Sequence, residues 1–175
     1  NAVKKAKKII SVSNSTKADI KKHLHIPAKK IQTIYNGVST SFHPVSSEKI
    51  LQKTLKKLKI STPFLLYTGV WRSHKNLPRL VEALGILKER NLPLSLVITG
   101  KKDPNYPEVI QAIKNENLKK SVVLTGLISE KELNHLYNSA KIYTFPSLYE
   151  GFGLPPLEAM KCLTPVVASN VSSIP

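Results

Sequence analysis

Tyr149-Glu150-Gly151-Phe152-Gly153-Leu154-Pro155-Pro156-Leu157-Glu158-Ala159-Met160 is the stretch that decides the fold of this chain. It follows the β-rich run 141–146, which ends at a proline and predicts a strand. Gly151 and Gly153 allow the backbone to come close to a ligand. Pro155 or Pro156 suits the first turn of a helix, which we expect to run from residue 157 to about 162. The stretch therefore predicts a strand exit, a tight glycine loop and a helix start.

Two carboxylates flank this predicted helix start. Glu150 lies on the loop, and Glu158 lies about one turn inside the helix. Free amides near Gly153 and Leu154 would point out of the helix start, where they attract an anion. A carboxylate on each side of that anion can accept hydrogen bonds from hydroxyl groups. An anion flanked by many hydroxyls describes a nucleotide sugar.

From residue 63 onward, short apolar runs alternate with helical patterns. Strands are predicted at 63–68, 94–99, 121–125, 142–145 and 165–168, with helices at 76–90, 106–117 and 129–140 and the Glu158 helix between them. Ser129 and Glu132 form a capping box at the start of the third helix. Continuous apolar strands between helices indicate an α/β fold, a doubly wound parallel sheet with helices on both faces. Ligands bind beyond the carboxyl ends of such strands, where Gly69, Gly100, Gly126 and Glu150 lie.

The first part of the chain has a different pattern. Short strands are predicted at 8–12 and 31–34, and Ser13 or Asn14 can cap a helix that runs to about residue 24. We interpret residues 1–45 as the end of a preceding domain with a linker, and 46–175 as a separate domain. That domain ends soon after its fifth strand, so we expect it to be truncated at its carboxyl terminus.

Charge is unevenly distributed over the chain. The net charge is +16; residues 1–59 carry 14 Lys against two acids, a net of +12, and the remainder carries +4. The lysine-rich helix predicted at 47–59 has its apolar side chains on one side, so it either packs on the domain or lies on an anionic membrane surface; these side chains are Ile50, Leu51, Leu55 and Leu58. A nucleic-acid partner is disfavoured because the basic residues lack interleaved aromatics.

Other compositional features exclude several classes of protein. No apolar run approaches the roughly 20 residues of a membrane-spanning helix, and no secretory signal is visible. The lone Cys162 excludes an internal disulfide framework, and we expect it to be buried. The histidines share no metal-ligand spacing and are interpreted as surface residues. We expect a cytoplasmic protein without a cofactor or metal.

These motifs resemble the carboxyl-terminal half of group 1, or family 4, retaining glycosyltransferases of the GT-B fold. The resemblance covers about residues 6–175. It rests on Ser11-Val12-Ser13-Asn14-Ser15-Thr16, Tyr35-Asn36-Gly37-Val38, Tyr67-Thr68-Gly69 with Arg72 and Lys75-Asn76, and Phe145-Pro146-Ser147 leading into the Glu150-x7-Glu158 signature. One departure is Leu163, which stands where the family usually has glycine in the turn after the Glu158 helix.

The resemblance implies a role for each matched residue. Arg72 and Lys75 would hold the donor diphosphate, Glu150 the sugar hydroxyls and Glu158 the ribose. The catalytic residues would be Glu150, Arg72 and Lys75. The full expected donor site comprises Gly69, Arg72, Lys75, Gly100, Leu127, Ile128, Glu150, Gly151, Phe152, Gly153, Leu154 and Glu158.

The same resemblance implies a function for the intact protein. It would transfer a hexose, with retention, from a UDP- or GDP-sugar to a hydroxyl of a sugar or lipid-linked acceptor, which an amino-terminal domain would bind. This chain alone would bind the nucleotide sugar without transferring it. The alternatives are a noncatalytic nucleotide-sugar-binding module and a basic nucleic-acid-binding domain. Peripheral contact with the anionic inner face of the cell membrane is a further expectation.

Overall fold

A computed structural model describes residues 2–175. The amino-terminal segment forms a small unit in which two strands pair in parallel, with Ile9 opposite Ile31. The side chain of Ser13 caps the longer helix, because its Oγ accepts a hydrogen bond from the Thr16 amide at 3.0 Å. The elements of this unit are α1 (Ala2–Lys5), β1 (Ile9–Ser11), α2 (Asn14–Leu24), a 3-10 turn (Ala28–Lys30) and β2 (Ile31–Thr33).

The larger unit contains every strand and helix predicted after residue 63. Its elements are α3 (Glu48–Leu58), β3 (Phe64–Thr68), a 3-10 turn (Ser73–Lys75), α4 (Leu77–Glu89), β4 (Ser95–Thr99), α5 (Glu108–Asn115), β5 (Val122–Gly126), α6 (Glu130–Ser139), β6 (Ile142–Phe145), α7 (Leu154–Lys161) and β7 (Val166–Ala168). The capping box of Ser129 and Glu132 is present. Helix α7 starts three residues earlier than predicted, so both prolines lie in its first turn.

All five strands of the larger unit are parallel, in the order β5-β4-β3-β6-β7. The chain builds outward from β3 to β5, then crosses back to place β6 on the other side of β3. The predicted doubly wound fold is confirmed. In such a sheet the strand order reverses between β3 and β6, and the crevice beyond their carboxyl ends is where ligands bind.

Alternate residues of β3 enter the two cores, which explains why the strands read as continuous apolar runs. Phe64 and Leu66 pack in one core with α3, α6 and α7, while Leu65 and Tyr67 pack in the other with α4 and α5. Helices therefore cover both faces of the sheet. Cys162 is buried in the first core, as expected.

Helix α3 packs its apolar face on the domain. Leu51 and Leu55 are buried and Leu58 is half-buried, while Ile50 remains 46% exposed. Contact of α3 with an anionic membrane stays a prediction. Such contact would rest on the lysines, since most of the apolar face of α3 already packs on the domain. No helix among residues 2–175 combines the length and the apolar character needed to cross a membrane.

The interpretation of His135 as a surface residue is wrong. Its side chain is buried on α6, and its Nδ1 lies 2.7 Å from the hydroxyl of Thr54 on α3. Burial lowers the pKa of the imidazole, because the charged form loses its hydration. This contact is one of the polar links between α3 and α6.

Candidate functional site

Three glycines form the floor of the rim at the ends of β3, β4 and β5. The amide of Gly69 donates to the carbonyl of Thr99 at 3.1 Å, and that of Gly100 donates to Gly126 at 2.9 Å. Gly100 has a φ of 121°, and a Cβ at this position would lie 2.1 Å from the carbonyl oxygen of Gly69. The backbones can therefore lie this close only because Gly100 has no side chain.

Lys75 and Glu150 meet at the point where the strand order reverses. Lys75 follows β3 and Glu150 follows β6, and the Lys75 Nζ lies 2.6 Å from the Glu150 Oε1. Their side chains are only 16% and 13% exposed. The Lys75 Nζ also lies 5.7 Å from the centroid of the Phe145 ring, which adds a cation–π contact. The structure thus places a predicted cation and a predicted acid in one largely buried pair.

Backbone contacts hold the two loops of this pair together. The Leu148 amide donates to the His74 carbonyl at 2.7 Å, and the Asn76 side-chain amide donates to the Pro146 carbonyl at 3.3 Å. Asn76 adopts a left-handed φ of 56°, which asparagine tolerates better than most residues. The relative position of Lys75 and Glu150 is therefore fixed by main-chain geometry as well as by their charges.

Arg72 lies apart from that pair. Its guanidinium pairs with Asp103, whose other oxygen accepts the Asn105 amide at 2.9 Å. The Arg72 side chain is 60% exposed and lines a cavity of about 240 Å³ together with Lys101 and Lys102. The loop after β4 therefore contributes positive charge next to the rim, beside the exposed guanidinium of Arg72.

The start of α7 offers fewer donors than an ordinary helix start. Gly153 precedes the helix with a φ of 102°, and Leu154 is its first residue. Pro155 and Pro156 have no N–H, so they remove two of the first-turn donors. Anion binding at this helix would rest on Leu154 and on the amides of the glycine loop before it.

Glu158 is held by a residue that the sequence reasoning missed. The hydroxyl of Tyr137 on α6 donates to the Glu158 Oε2 at 2.9 Å. Burial raises the pKa of Glu158, the Tyr137 hydrogen bond partly lowers it, and the nearby Glu130 raises it again. The sequence placed Tyr137 within the helix predicted at 129–140, and nothing linked it to an acid 21 positions later.

Leu127 and Ile128, two expected members of the donor site, differ in exposure. Leu127 is 77% exposed, whereas Ile128 packs partly against the core that includes α6 and α7. An exposed leucine at the end of β5 leaves an apolar surface near the rim. Among residues 2–175, no three His, Cys, Asp or Glu side chains are grouped as a metal site would require.

The amino-terminal unit touches the glycine loop directly. The Thr16 hydroxyl donates to the Gly151 carbonyl at 3.0 Å, and the Tyr149 hydroxyl donates to the Asp19 carboxylate at 2.6 Å. The Tyr35 and Phe152 rings lie 6.1 Å apart, centroid to centroid. The loop that carries Glu150 therefore faces the cleft between the two units, where a cavity of about 490 Å³ opens beside α7.

Comparison with known families agrees with this geometry. Residues 46–175 match the family profile described as "Glycosyl transferases group 1". The chain belongs to the group 1 glycosyltransferases. Residues 1–42 match a second profile, "Glycosyltransferase Family 4".

Relatives of this glycosyltransferase chain are longer proteins. The Escherichia coli "O-antigen chain mannosyltransferase B" is 31% identical over 171 residues, which are 97% of this chain and 45% of that protein. The chain spans less than half the length of that relative.

Solved structures share the fold. A glycosyltransferase from Rickettsia africae superposes with a TM-score of 0.85 and 27% identity over 97% of this chain and 46% of that one. Anabaena Alr3699/HepE in complex with UDP and glucose gives a TM-score of 0.83 at 22% identity, over 96% of this chain and 46% of that one. In both comparisons this chain matches about half of a protein with the GT-B fold, as expected.

Proposed function

We propose that residues 46–175 form the donor-binding domain of a retaining glycosyltransferase, and that residues 1–45 end its acceptor-binding domain and link the two. The donor is a UDP- or GDP-hexose. The observation that carries this proposal is the Lys75–Glu150 pair, with 2.6 Å between its charged atoms, in the crevice between β3 and β6. A buried cation beside an acid and a glycine loop suits a ligand that joins a diphosphate to hydroxyl groups.

The diphosphate lies between Lys75, Arg72 and the start of α7. When the bond to the sugar breaks, the leaving nucleoside diphosphate gains negative charge, and cations already in place stabilise it. Arg72 exchanges its exposed pairing with Asp103 for the diphosphate, a stronger anion. The amides from Gly151 to Leu154 complete the anion site.

Hydroxyl groups of the donor are bound by the two acids. Glu150, together with the amides of Gly151, Phe152 and Gly153, takes the hexose, and Glu158 takes the ribose. The Tyr137 hydroxyl occupies one oxygen of Glu158 and so orients the other toward the ligand. The base packs on Leu127 and Ile128, above the floor formed by Gly69 and Gly100.

Retention of configuration follows from attack on the face that the diphosphate leaves. The acceptor oxygen forms a bond to the anomeric carbon as the bond from that carbon to the diphosphate oxygen breaks. A diphosphate oxygen takes the proton of the acceptor hydroxyl. Lys75 and Arg72 hold the leaving group on that face, and the acceptor comes from the amino-terminal domain, so this chain alone binds the donor without transferring it.

Related proteins support this choice of ligand. The Anabaena structure of the same fold contains UDP and glucose, and the E. coli relative is described as a mannosyltransferase. We infer a hexose donor from these descriptions and from the two acids.

Calorimetry on two variants tests the roles of the acids. Glu158→Ala is expected to weaken binding of both the free nucleotide and the nucleotide sugar by about 1.5–3 kcal/mol, since hydrogen bonds to a charged group are lost. Glu150→Ala is expected to leave the free nucleotide nearly unaffected and to weaken only the nucleotide sugar. Glu89→Ala, an exposed acid at the end of α4, is the control. Equal loss of free nucleotide in the Glu150 and Glu158 variants would contradict the assignment.

A further inference from the structure

The segment after β7 is fastened to the loop that carries Glu150. The Ser172 hydroxyl donates to the Glu150 carbonyl at 2.6 Å and accepts from the Glu150 amide at 3.3 Å. The Ser173 hydroxyl donates to the same carbonyl at 2.9 Å. Two serines therefore satisfy both main-chain polar groups of the acid proposed to hold the donor sugar.

The same segment is attached at a second point closer to the strands. The Ser169 amide donates to the Phe145 carbonyl at 3.1 Å, and the Ser169 hydroxyl donates to the Ser147 carbonyl. The loop from β6 is thus held along its length before it reaches Glu150. The bonds to Glu150 are the last in this series, just before the glycines begin.

The backbone of Ser172 is in an unusual conformation. Its φ is 57°, a left-handed value that is unfavourable for a non-glycine residue. Backbone strain of this kind clusters at active sites and ligand clamps. Here it accompanies a hydroxyl that contacts both the amide and the carbonyl of Glu150.

Fixing the Glu150 carbonyl also fixes the next amide. The peptide unit between Glu150 and Gly151 is planar and trans, so the N–H of Gly151 points opposite to that carbonyl. Because the carbonyl faces Ser172 and Ser173, the Gly151 N–H faces away from them. Gly151 has no side chain, so without these bonds its peptide unit could rotate with little resistance.

We propose that Ser172 and Ser173 are positioning residues for sugar transfer, which hold the Glu150–Gly151 peptide so that the carboxylate and the Gly151 N–H meet the donor sugar. The inference rests on the proposed function. The proposed role concerns the sugar and not the nucleotide. Lys75, Arg72 and Glu158, which are proposed to hold the nucleotide, are not bonded to these serines. The loss of both hydroxyls should therefore affect the nucleotide sugar more than the free nucleoside diphosphate.

The test compares four variants of the full-length protein, one of which is Ser173→Ala alone. Ser172→Gly with Ser173→Ala removes both hydroxyls, and glycine at 172 accepts the left-handed backbone without strain. Ser173→Thr keeps a hydroxyl at its position. Ser95→Ala is the matched control, since its hydroxyl also donates to a main-chain carbonyl, that of Ser61 at 3.3 Å, at the start of β4 and away from the rim.

The probes are UDP-glucose and GDP-mannose, each measured against its free nucleoside diphosphate. In the double variant, affinity for the bound nucleotide sugar should fall about tenfold, as one or two lost hydrogen bonds imply, and affinity for the free diphosphate less than about twofold. The kcat for transfer should fall more than the donor KM rises. Ser173→Thr should restore most of the activity that Ser173→Ala alone loses.

Two outcomes separate this inference from the function on which it rests. If a folded double variant keeps the wild-type ratio of the two affinities and the wild-type kcat, the serines do not position Glu150, although the donor site stands. If the wild type binds neither nucleotide sugar, the proposed function fails, and the inference fails with it. Should the double variant not fold, the comparison of Ser173→Ala with Ser173→Thr decides the question in the same way.

Discussion

Replacing Lys75 with methionine should destabilise the protein by more than the loss of a surface ion pair. The variant keeps most of the length of the side chain but leaves the Glu150 carboxylate, 13% exposed, without its cation. Removing one partner of a fully buried pair costs about 3–5 kcal/mol, and the remaining exposure of both side chains reduces this to about 2–3 kcal/mol. For a domain of this size that loss corresponds to a decrease in Tm of roughly 4–12 °C.

Urea denaturation at neutral pH measures the free energy of unfolding, with two variants for comparison. Arg79→Met removes an exposed pair with Glu82, at 3.2 Å and with side chains 75% and 46% exposed, and should cost less than about 0.5 kcal/mol. Adding Glu150→Gln to Lys75→Met removes the unpaired charge and should recover at least half of the loss. If Lys75→Met lowers the free energy of unfolding as little as Arg79→Met does, the buried Lys75–Glu150 pair contributes no more to stability than an exposed ion pair.

Three further changes, in pH, at Tyr137 and at Leu163, have an expected direction of effect on nucleotide binding or on stability. Burial raises the pKa of Glu158 above the ordinary value of 4.5. On acidification the carboxylate should therefore take up a proton, and ribose binding should weaken, while the pH is still above 4.5. Tyr137→Phe removes the hydrogen bond that lowers this pKa, so the loss of nucleotide affinity should begin at a still higher pH; calorimetry across pH that shows no displacement would contradict the role of Tyr137. Leu163 has a φ of 63° and is 78% exposed, so Leu163→Gly should relieve strain and raise stability by about 1 kcal/mol, measured by urea denaturation, and a destabilised variant would contradict this reading.

Most of the sheet could be predicted because the physical signals are local. Each strand is a short apolar run, and alternate residues of β3 are buried on both faces of the sheet. Glycines that follow β3 and β4 and that end β5 mark the strand ends. The start of α7 was misplaced because Pro155 and Pro156 fit either its first turn or the loop before it.

The contacts that organise the site could not be predicted, because each depends on a distant element. Tyr137 reaches Glu158 from α6, Asp103 reaches Arg72 from the loop after β4, and Ser172 reaches Glu150 from beyond β7. Nothing in the local sequence around these residues predicts such contacts. The strand order brings these separate segments to one rim.

The loop that carries Glu150 also contacts the amino-terminal unit. Thr16 and Asp19 contact Gly151 and Tyr149, although their sequence pattern predicts only a capped helix. Two parallel strands and two helices form a very small unit by themselves. These contacts join that unit to the loop that carries Glu150.

Direct titration of the wild-type chain with UDP, GDP and the corresponding monophosphates tests the central claim. The account predicts that one diphosphate binds measurably and more tightly than its monophosphate. It also predicts that Arg72→Ala removes much of that difference, since a charge-assisted hydrogen bond contributes about 1.5–3 kcal/mol. If neither diphosphate binds, or if a monophosphate binds equally well and Arg72→Ala changes nothing, the crevice between β3 and β6 is not a nucleotide-sugar site.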